Sequence, residues 1–287
     1  MDAKFHPAIA AIKMGDVEKL KALVAADPSL ATSRSSVSHP TLLQCLVLEA
    51  KNKPNAREMA EVLIHAGADV HEPLGAAASI NNRAVGELLI DRGAAVDGTG
   101  GWSPLEEALY WNSQDVVALL LQRGAKIHNL RTAAGLGRTD LIENYFNEDG
   151  TLRPEAGKIN WPWGGLETIA ASNHDASGQK TLADRVKSWS QDQQGIVNNA
   201  FVYACMHGQI EAAKLLLEKG AEINVVPGGF DYAGTGLHYA ALNGHREMVQ
   251  FLLDHGADRN LKDTKVGSNA AGWADYGGHK ELLDLLR

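Results

Sequence analysis

The chain contains 287 residues, of which 45% are apolar and 22% are charged, and its formal net charge is −8 at pH 7. This is the composition of a globular protein, and it excludes the disordered and fibrous classes. Because nucleic-acid binders usually present a basic surface to the phosphate backbone, the acidic balance also argues against a nucleic-acid partner.

The sequence shows no export or membrane signal. The first residues place Asp2, Lys4 and Lys13 among apolar positions, which breaks the apolar core that a signal peptide requires. The longest uncharged stretch, residues 193–210, contains too much Gln, Asn, Gly and His for a membrane span. We therefore expect a cytoplasmic monomer with no membrane partner, in which Cys45 and Cys205 are buried, reduced thiols.

Taken in chain order, the sequence repeats one pattern of a short apolar helix, a Gly or Asn turn and a second apolar helix. The copies cover residues 7–30, 41–70, 72–96, 103–127, 130–150, 201–224, 235–260 and 269–287. Repetition at a period of this size is the sequence signature of a solenoid, in which each unit buries its apolar surface against its neighbours.

The turn between the two helices is the sharpest feature of the pattern. A tight antiparallel helix pair needs a left-handed residue there, and Gly and then Asn adopt that conformation most cheaply. All eight copies have one of these two residues at the position, namely Gly15, Asn55, Asn81, Asn112, Gly137, Gly208, Gly244 and Gly278. A second glycine, followed by Ala, is predicted to end the second helix in five copies, at Gly67, Gly93, Gly124, Gly220 and Gly256.

The pattern resembles the ankyrin repeat, whose signature is T-P-L-H-x-A-A. The copy at residues 235–241 reads TGLHYAA, and residues 103–105 read SPL, with Glu106 where His is usual. The resemblance implies an all-α solenoid of helix-turn-helix units with β-hairpin or loop connections, about eight repeats in number and with one insertion. It also implies that the His238 ring bonds backbone groups between neighbouring repeats.

We divide the chain into residues 1–152 with about five repeats, residues 153–195, and residues 196–287 with about three, all in one continuous solenoid. The middle segment is either an insertion or a degenerate repeat, and the absence of a Gly-Ala exit favours the insertion. Within it, residues 181–194 are predicted to be a helix, with Thr181 as its cap and Leu182, Val186 and Trp189 on one face.

Partners of ankyrin repeats bind the hairpin tips and the exposed surface of the first helices, so the resemblance predicts an unidentified protein or peptide as partner on a concave face. Large aromatic side chains supply contact area there at low entropic cost. The candidate contact residues are Trp102, Tyr110, Trp111, His207, Asp231, Tyr232 and Tyr276, together with Trp161 and Trp163 in the insertion. The alternative is that these tryptophans pack against neighbouring loops or anchor the insertion.

The sequence contains no metal-binding or phosphate-binding motif, so we predict no cofactor, no metal and no catalytic residue. The protein is therefore expected to be a non-enzymatic interaction module that acts as a scaffold. A second hypothesis is a small-molecule binder or hydrolase, in which the insertion covers a Trp-lined pocket. His174, Asp175 and Glu167 would be the acid and base groups in that case.

Overall fold

The computed structural model describes residues 2–35, 40–159, 189–230 and 234–287. These residues form two compact units, the first ending at residue 126 and the second beginning at residue 127. Both units are helical in their described ranges, which agrees with the predicted all-α solenoid.

The first unit contains four helix pairs in its described residues. Its helices are α1 (His6–Met14), α2 (Val17–Ala26), α3 (Ser29–Thr32), α4 (Leu42–Glu49), α5 (Ala56–His65), α6 (His71–Ser79), α7 (Arg83–Asp91), α8 (Pro104–Tyr110) and α9 (Gln114–Gln122), with a 3-10 helix at Ala3–Phe5. The first helices of the pairs, α1, α4, α6 and α8, contact one another in series, and the second helices, α2, α5, α7 and α9, do the same. Each pair therefore buries its apolar surface against its neighbours, as stacked repeats must.

The second unit follows the same plan. Its helices are α10 (Leu130–Gly135), α11 (Thr139–Asn144), α12 (Gln193–Met206), α13 (Ile210–Glu218), α14 (Gly236–Leu242), α15 (Arg246–Asp254), α16 (Ala270–Gly277) and α17 (Leu283–Leu286), with 3-10 helices at Pro154–Ala156 and Lys280–Leu282. The first helices α10, α12, α14 and α16 contact one another in series. Small residues at these contacts, such as Ala240 and Ala241, are fully buried and let the helices approach closely.

The connections between repeats are loops and turns throughout the described ranges. No strand occurs there, and the single isolated bridge joins Phe146 to Leu152. The family resemblance implied β-hairpin or loop connections between repeats, and the described connections are loops. The connection between α5 and α6 is too short for paired strands, and the one between α7 and α8 is rich in Gly, which strands disfavour.

The turn prediction holds at seven of its eight positions. Seven of the eight Gly and Asn residues, all except Asn55, have positive φ angles between 54° and 84°. Asn55 is the exception, since its φ is −101°, and the prediction of a left-handed residue there was wrong. The extra residues between α4 and α5 allow a wider connection, in which Lys53 N donates to Ala50 O and Ala56 N donates to Lys53 O.

The turns also connect neighbouring repeats. The side chain at the start of the second helix in one repeat lies against the turn of the repeat before it. The Asn55 amide donates to Gly15 O, Gln209 lies against Gly137, and His245 Nε2 is 2.9 Å from Met206 O, with its ring against Gly208. At Gly137 and Gly208 the missing Cβ also leaves space, since a Cβ there would lie within about 3 Å of Gln209 and of His245 respectively.

Three first helices, α4, α8 and α14, begin with the same hydrogen-bonded capping box. At α14, Thr235 N donates to His238 Nδ1 at 3.2 Å, and the other ring nitrogen is 3.2 Å from Ser268 O in the next repeat. This is the role that the family resemblance implies for His238. At α8, Glu106 Oε2 accepts from Ser103 N at 3.0 Å, so Glu106 performs the capping function of the usual His.

The predicted helix over residues 181–194 is tested only in part, because residues 181–188, with Thr181, Leu182 and Val186, lie outside the described residues. In the part that the structure describes, the prediction was wrong. Residues 189–192 are not helical, and α12 begins at Gln193 with the Asp192 side chain accepting from Gly195 N at 2.8 Å. The physical reason is that an Asp cap satisfies the free N–H groups of a new helix, which separates it from any helix before it. Gln191 is bonded instead to Ile159, through its Oε1 to Ile159 N and its Nε2 to Ile159 O, each at 2.9 Å.

Candidate functional site

Three of the predicted contact residues lie together at the two ends of α8 in the first unit. Trp102 precedes the Ser103 cap, Tyr110 is the last helical residue, and Trp111 is the C-cap. The Tyr110 ring is 6.4 Å from the Trp102 ring and 5.1 Å from the Trp111 ring, with interplanar angles of 74° and 79°. These edge-to-face arrangements are favourable for aromatic pairs.

A buried carboxylate holds the two tryptophans in place. Glu107 Oε2 accepts from Trp102 Nε1 at 2.7 Å, and Glu107 Oε1 accepts from Trp111 Nε1 at 2.8 Å. The helix sets this geometry, because Trp111 lies one turn after Glu107 on the same face. We call Trp102, Glu107, Tyr110 and Trp111 the α8 cluster.

The α8 cluster combines a rigid interior with an exposed edge. Glu107 is 6% exposed and Tyr110 is 8% exposed, whereas Trp111 is 41% exposed. An indole fixed by a charged hydrogen bond has already lost much of its rotational freedom. It therefore loses little further conformational entropy when a partner binds to it. The cluster therefore has the physical character of a binding hot spot.

The chain around the cluster is acidic. From residue 97 to residue 115 the sequence has four carboxylates, at Asp97, Glu106, Glu107 and Asp115, and no Lys or Arg. The nearest arginine after this segment is Arg123. Its guanidinium forms a salt bridge of 2.6 Å with the Asp91 carboxylate on the second helices, and both side chains are partly exposed to solvent. The α8 cluster therefore lies in a segment of negative charge.

The remaining predicted contact residues are not part of the α8 cluster. In the second unit, His207 ends α12 and is only 7% exposed, whereas Tyr276 on α16 is 86% exposed. Asp231, Tyr232, Trp161 and Trp163 lie outside the described residues, as do Glu167, His174 and Asp175.

The second unit has a cavity of about 400 Å³ beside α12. Its apolar wall is formed by Ile159, Trp189, Val225, Val226 and Phe230, and Asp192 and Asn198 contribute polar groups. Phe230 is anchored between Tyr203 and Tyr239, at ring distances of 5.0 and 4.9 Å. The cavity shows that one tryptophan of the predicted insertion lines a pocket.

Two buried titratable groups of the second unit, Asp263 and His238, have hydrogen-bond partners within the protein. Burial alone would raise the pKa of Asp263, but hydrogen bonds from the Val266, Ser268 and Lys265 amides and from the Trp273 indole lower it to about 2. Burial lowers the pKa of His238 and raises the pKa of the Cys205 thiol. Cys205 is buried and Cys45 is partly buried, and both are free thiols as predicted.

Sequence reasoning missed Glu107 and the cavity. The run from Trp102 to Trp111 contains two acids, Glu106 and Glu107, but only the tertiary structure shows that Glu107 is buried and accepts from both indoles. The cavity had no signal in the sequence, because its walls come from three separated parts of the chain.

Comparison with known proteins gives one match and one negative result. A family model described as ankyrin repeats (3 copies) matches residues 46–130, 168–263 and 228–287, which together cover more than half of the chain. No curated protein matches the sequence. Within the described ranges, no helix has both the length and the apolar character needed to cross a bilayer, and no three ligand-type side chains group where a metal ion could bind.

Proposed function

Because this chain belongs to the ankyrin-repeat family, whose repeats generally mediate protein–protein interactions, we propose that it binds a protein or peptide through the exposed surface of its first helices. The observation that carries the proposal is the α8 cluster, in which buried Glu107 fixes two tryptophans and leaves Trp111 exposed. We further propose that binding is its whole activity, and that it acts as a cytoplasmic monomer with a concave binding face.

The cluster supports the proposal on energetic grounds. Trp111 is 41% exposed, so part of its apolar ring surface remains in contact with water in the free protein. A partner that covers Trp111 would bury apolar area worth about 25 cal/mol per Å². The exposed indole is therefore more favourable in a complex than in the free protein.

The test is a selection of binding peptides from a displayed random library, followed by affinity measurements on two variants. Trp111→Ala removes the exposed ring on the first helix, and Leu121→Ala is a matched control, since Leu121 is 39% exposed on α9 of the same repeat. We expect Trp111→Ala to weaken binding of the selected peptides by tenfold or more, or about 1.4 kcal/mol, and Leu121→Ala to leave it unchanged. Peptides that lose affinity only with Leu121→Ala would place the interface on the second helices and refute the proposal.

The cavity beside α12 favours a second candidate function, the binding of a small molecule in the second unit. Its apolar wall with a few polar groups is the usual composition of a ligand site. Thermal-shift screening of a small-molecule library should then yield compounds that stabilise the protein but not Val226→Trp, a variant whose larger side chain fills the cavity. Compounds that stabilise both proteins equally would show that this cavity is not the binding site. To test for hydrolysis, ester and amide derivatives of the same compounds would be incubated with the protein and their cleavage measured.

A further inference from the structure

We infer that the cavity beside α12 takes a neutral molecule with an apolar body and a carbonyl oxygen, and that Asn198 donates a hydrogen bond to that oxygen. The inference rests on the second candidate function proposed above, since it names the class of ligand for the same cavity. It depends on the orientation of the Asn198 amide, the order of the cavity walls and the charge that lines them.

The Asn198 side chain is oriented by its neighbours. Its Oδ1 accepts from Glu222 N at 2.9 Å and from Gln194 Nε2 at 3.1 Å. A backbone N–H can only donate, so the arm that faces Glu222 must be the oxygen and the opposite arm must be the NH2 group. Gln194 is fixed in the same way, because its Nε2 also donates to Gly220 O at 2.7 Å. The orientation of the Asn198 amide is therefore determined by hydrogen bonds that reach the main chain.

The NH2 group of Asn198 has donor capacity that the described residues do not use. Asn198 is 5% exposed and is a wall residue of the cavity. Both of its side-chain hydrogen bonds involve Oδ1, and no described residue accepts one from Nδ2. A buried amide donor without an acceptor is unfavourable, and a carbonyl oxygen bound in the cavity would supply the acceptor.

The cavity walls are ordered before any ligand binds. Gln191 bonds to both Ile159 N and Ile159 O at 2.9 Å, and Asn199 Nδ2 donates to Gly228 O at 2.8 Å. Gly228 also lets the Trp189 ring approach, since a Cβ there would be 2.6 Å from the Trp189 Cγ atom. The separated parts of the chain that form the cavity are thus connected by hydrogen bonds and close packing. A ligand that enters such a cavity orders few additional protein groups.

The volume of the cavity sets the size of the ligand. It is about 400 Å³, more than twice the volume of about 150 Å³ that holds benzene in an engineered protein cavity. The cavity can therefore hold a hydrocarbon ring together with an amide or ketone group. The apolar side chains of Val225, Val226 and Phe230 supply the contacts for the ring.

The charge at the cavity favours a neutral ligand. Asp192 is a wall residue, and hydrogen bonds from the Gly195 amide and the Ser190 hydroxyl lower its pKa, so it is ionised at neutral pH. It would repel a ligand carboxylate, and the described wall residues contain no Lys, Arg or His to offset that repulsion. A ligand ammonium group would offer no acceptor to the Asn198 NH2 group. An amide or ketone presents an acceptor oxygen without either penalty.

The experiment follows the side-chain N–H resonances of the full chain, labelled uniformly with ¹⁵N. Asn198→Asp assigns the Asn198 resonance, because it removes the NH2 group while its carboxylate can still accept from Glu222 N and Gln194 Nε2. The Trp189 indole resonance, assigned with Trp189→Phe, reports the affinity of each probe in each variant. The probes are 3-phenylpropanamide, 3-phenylpropanoate and ethylbenzene, which offer a neutral acceptor, a charged acceptor and no acceptor.

We expect 3-phenylpropanamide to move the Asn198 NH2 protons downfield saturably, as a new hydrogen bond does, and 3-phenylpropanoate to bind about tenfold more weakly. Asn198→Asp should weaken binding of the amide about tenfold and binding of ethylbenzene by less than about threefold. Asn260→Asp is the matched control, since it adds the same charge at an exposed position of the second unit, and it should change neither affinity. If Asn198→Asp does not fold, Asn198→Ser assigns the resonance, and the shifts in the native protein decide.

The inference would be overturned if the amide left the Asn198 resonance in place, or if Asn198→Asp weakened the amide and ethylbenzene equally. Its failure can be distinguished from that of the candidate function. If library compounds stabilise the protein but not Val226→Trp, and bind Asn198→Asp as tightly as the native protein, the cavity binds ligands and the carbonyl inference is wrong. If no compound distinguishes the native protein from Val226→Trp and the amide shifts no wall resonance, the candidate function itself fails.

Discussion

His279 lies against the turn glycine of the preceding repeat, so closely that a Cβ on Gly244 would be 2.5 Å from the His279 Cε1 atom. Gly244 also has a φ of 74°, a conformation that L-residues with a side chain adopt at a cost. A side chain at position 244 would therefore cause both backbone strain and a steric clash with His279. The two effects can be measured separately.

Gly244→Ala should be more destabilising than Gly256→Ala. Gly256 has a φ of 91° but nothing within 4 Å of its missing Cβ, so its substitution adds strain alone, about 1–2 kcal/mol. Gly244→Ala adds displacement of the His279 ring to a similar strain. Urea unfolding of both variants measures the difference, and Gly244→Ala with His279→Ala should recover part of the excess. Equal free energies of unfolding for the two single variants would show that the contact is unimportant.

Stability should decrease as pH falls below about 6.5, partly because His238 is buried and His245 is partly buried. Burial lowers the pKa of both side chains below the ordinary 6.5, so the unfolded chain binds protons that the folded chain does not. The folded state is then favoured above the unfolded pKa, and it loses that advantage as pH falls towards the folded pKa.

His238→Gln isolates the contribution of His238, because Gln44 performs the same capping role at α4. Gln44 Oε1 accepts from Thr41 N at 3.1 Å, as His238 Nδ1 accepts from Thr235 N. We expect the variant to lose less stability than the native protein when denaturant unfolding is compared at about pH 7 and about pH 5.5. An unchanged loss would assign the pH dependence to other groups.

Asp263 should contribute to stability above about pH 4 and lose its contribution as pH falls towards 2. Its pKa is about 2 in the folded protein against an ordinary 3.8, so the folded state prefers the ionised form. The shift corresponds to about 2 kcal/mol at neutral pH. Asp263→Asn should therefore destabilise the protein at pH 7 and much less near pH 2.5, as measured by thermal unfolding. Equal destabilisation at both pH values would show that the carboxylate charge is not the cause.

Cys205 should be protected from thiol reagents until the second unit unfolds. It is a fully buried residue of α12 next to Gly236 of α14, and burial raises its thiol pKa, so little reactive thiolate is present. Cys45 is only partly buried and should react first, although burial raises its pKa as well. Mass spectrometry after timed alkylation measures the order. Simultaneous labelling in native buffer would indicate that α12 opens readily.

The sequence alone determined the repeat. Gly and Asn at a constant position predicted the turns because few residues adopt a left-handed backbone, and seven of the eight predictions are confirmed. Asn55 failed because the extra residues before it changed the connection, which a local rule does not detect.

Only the tertiary structure decided how the site is built. The tryptophans at α8 were visible in the sequence, but burial of Glu107 between them depends on the packing of α8 against α6 and α9. The same holds for His279 against Gly244 and for the cavity walls at Ile159, Trp189 and Val226. Helix periodicity and turn chemistry are local properties of the chain, whereas burial is a property of residues that are distant in sequence and meet only when the repeats stack.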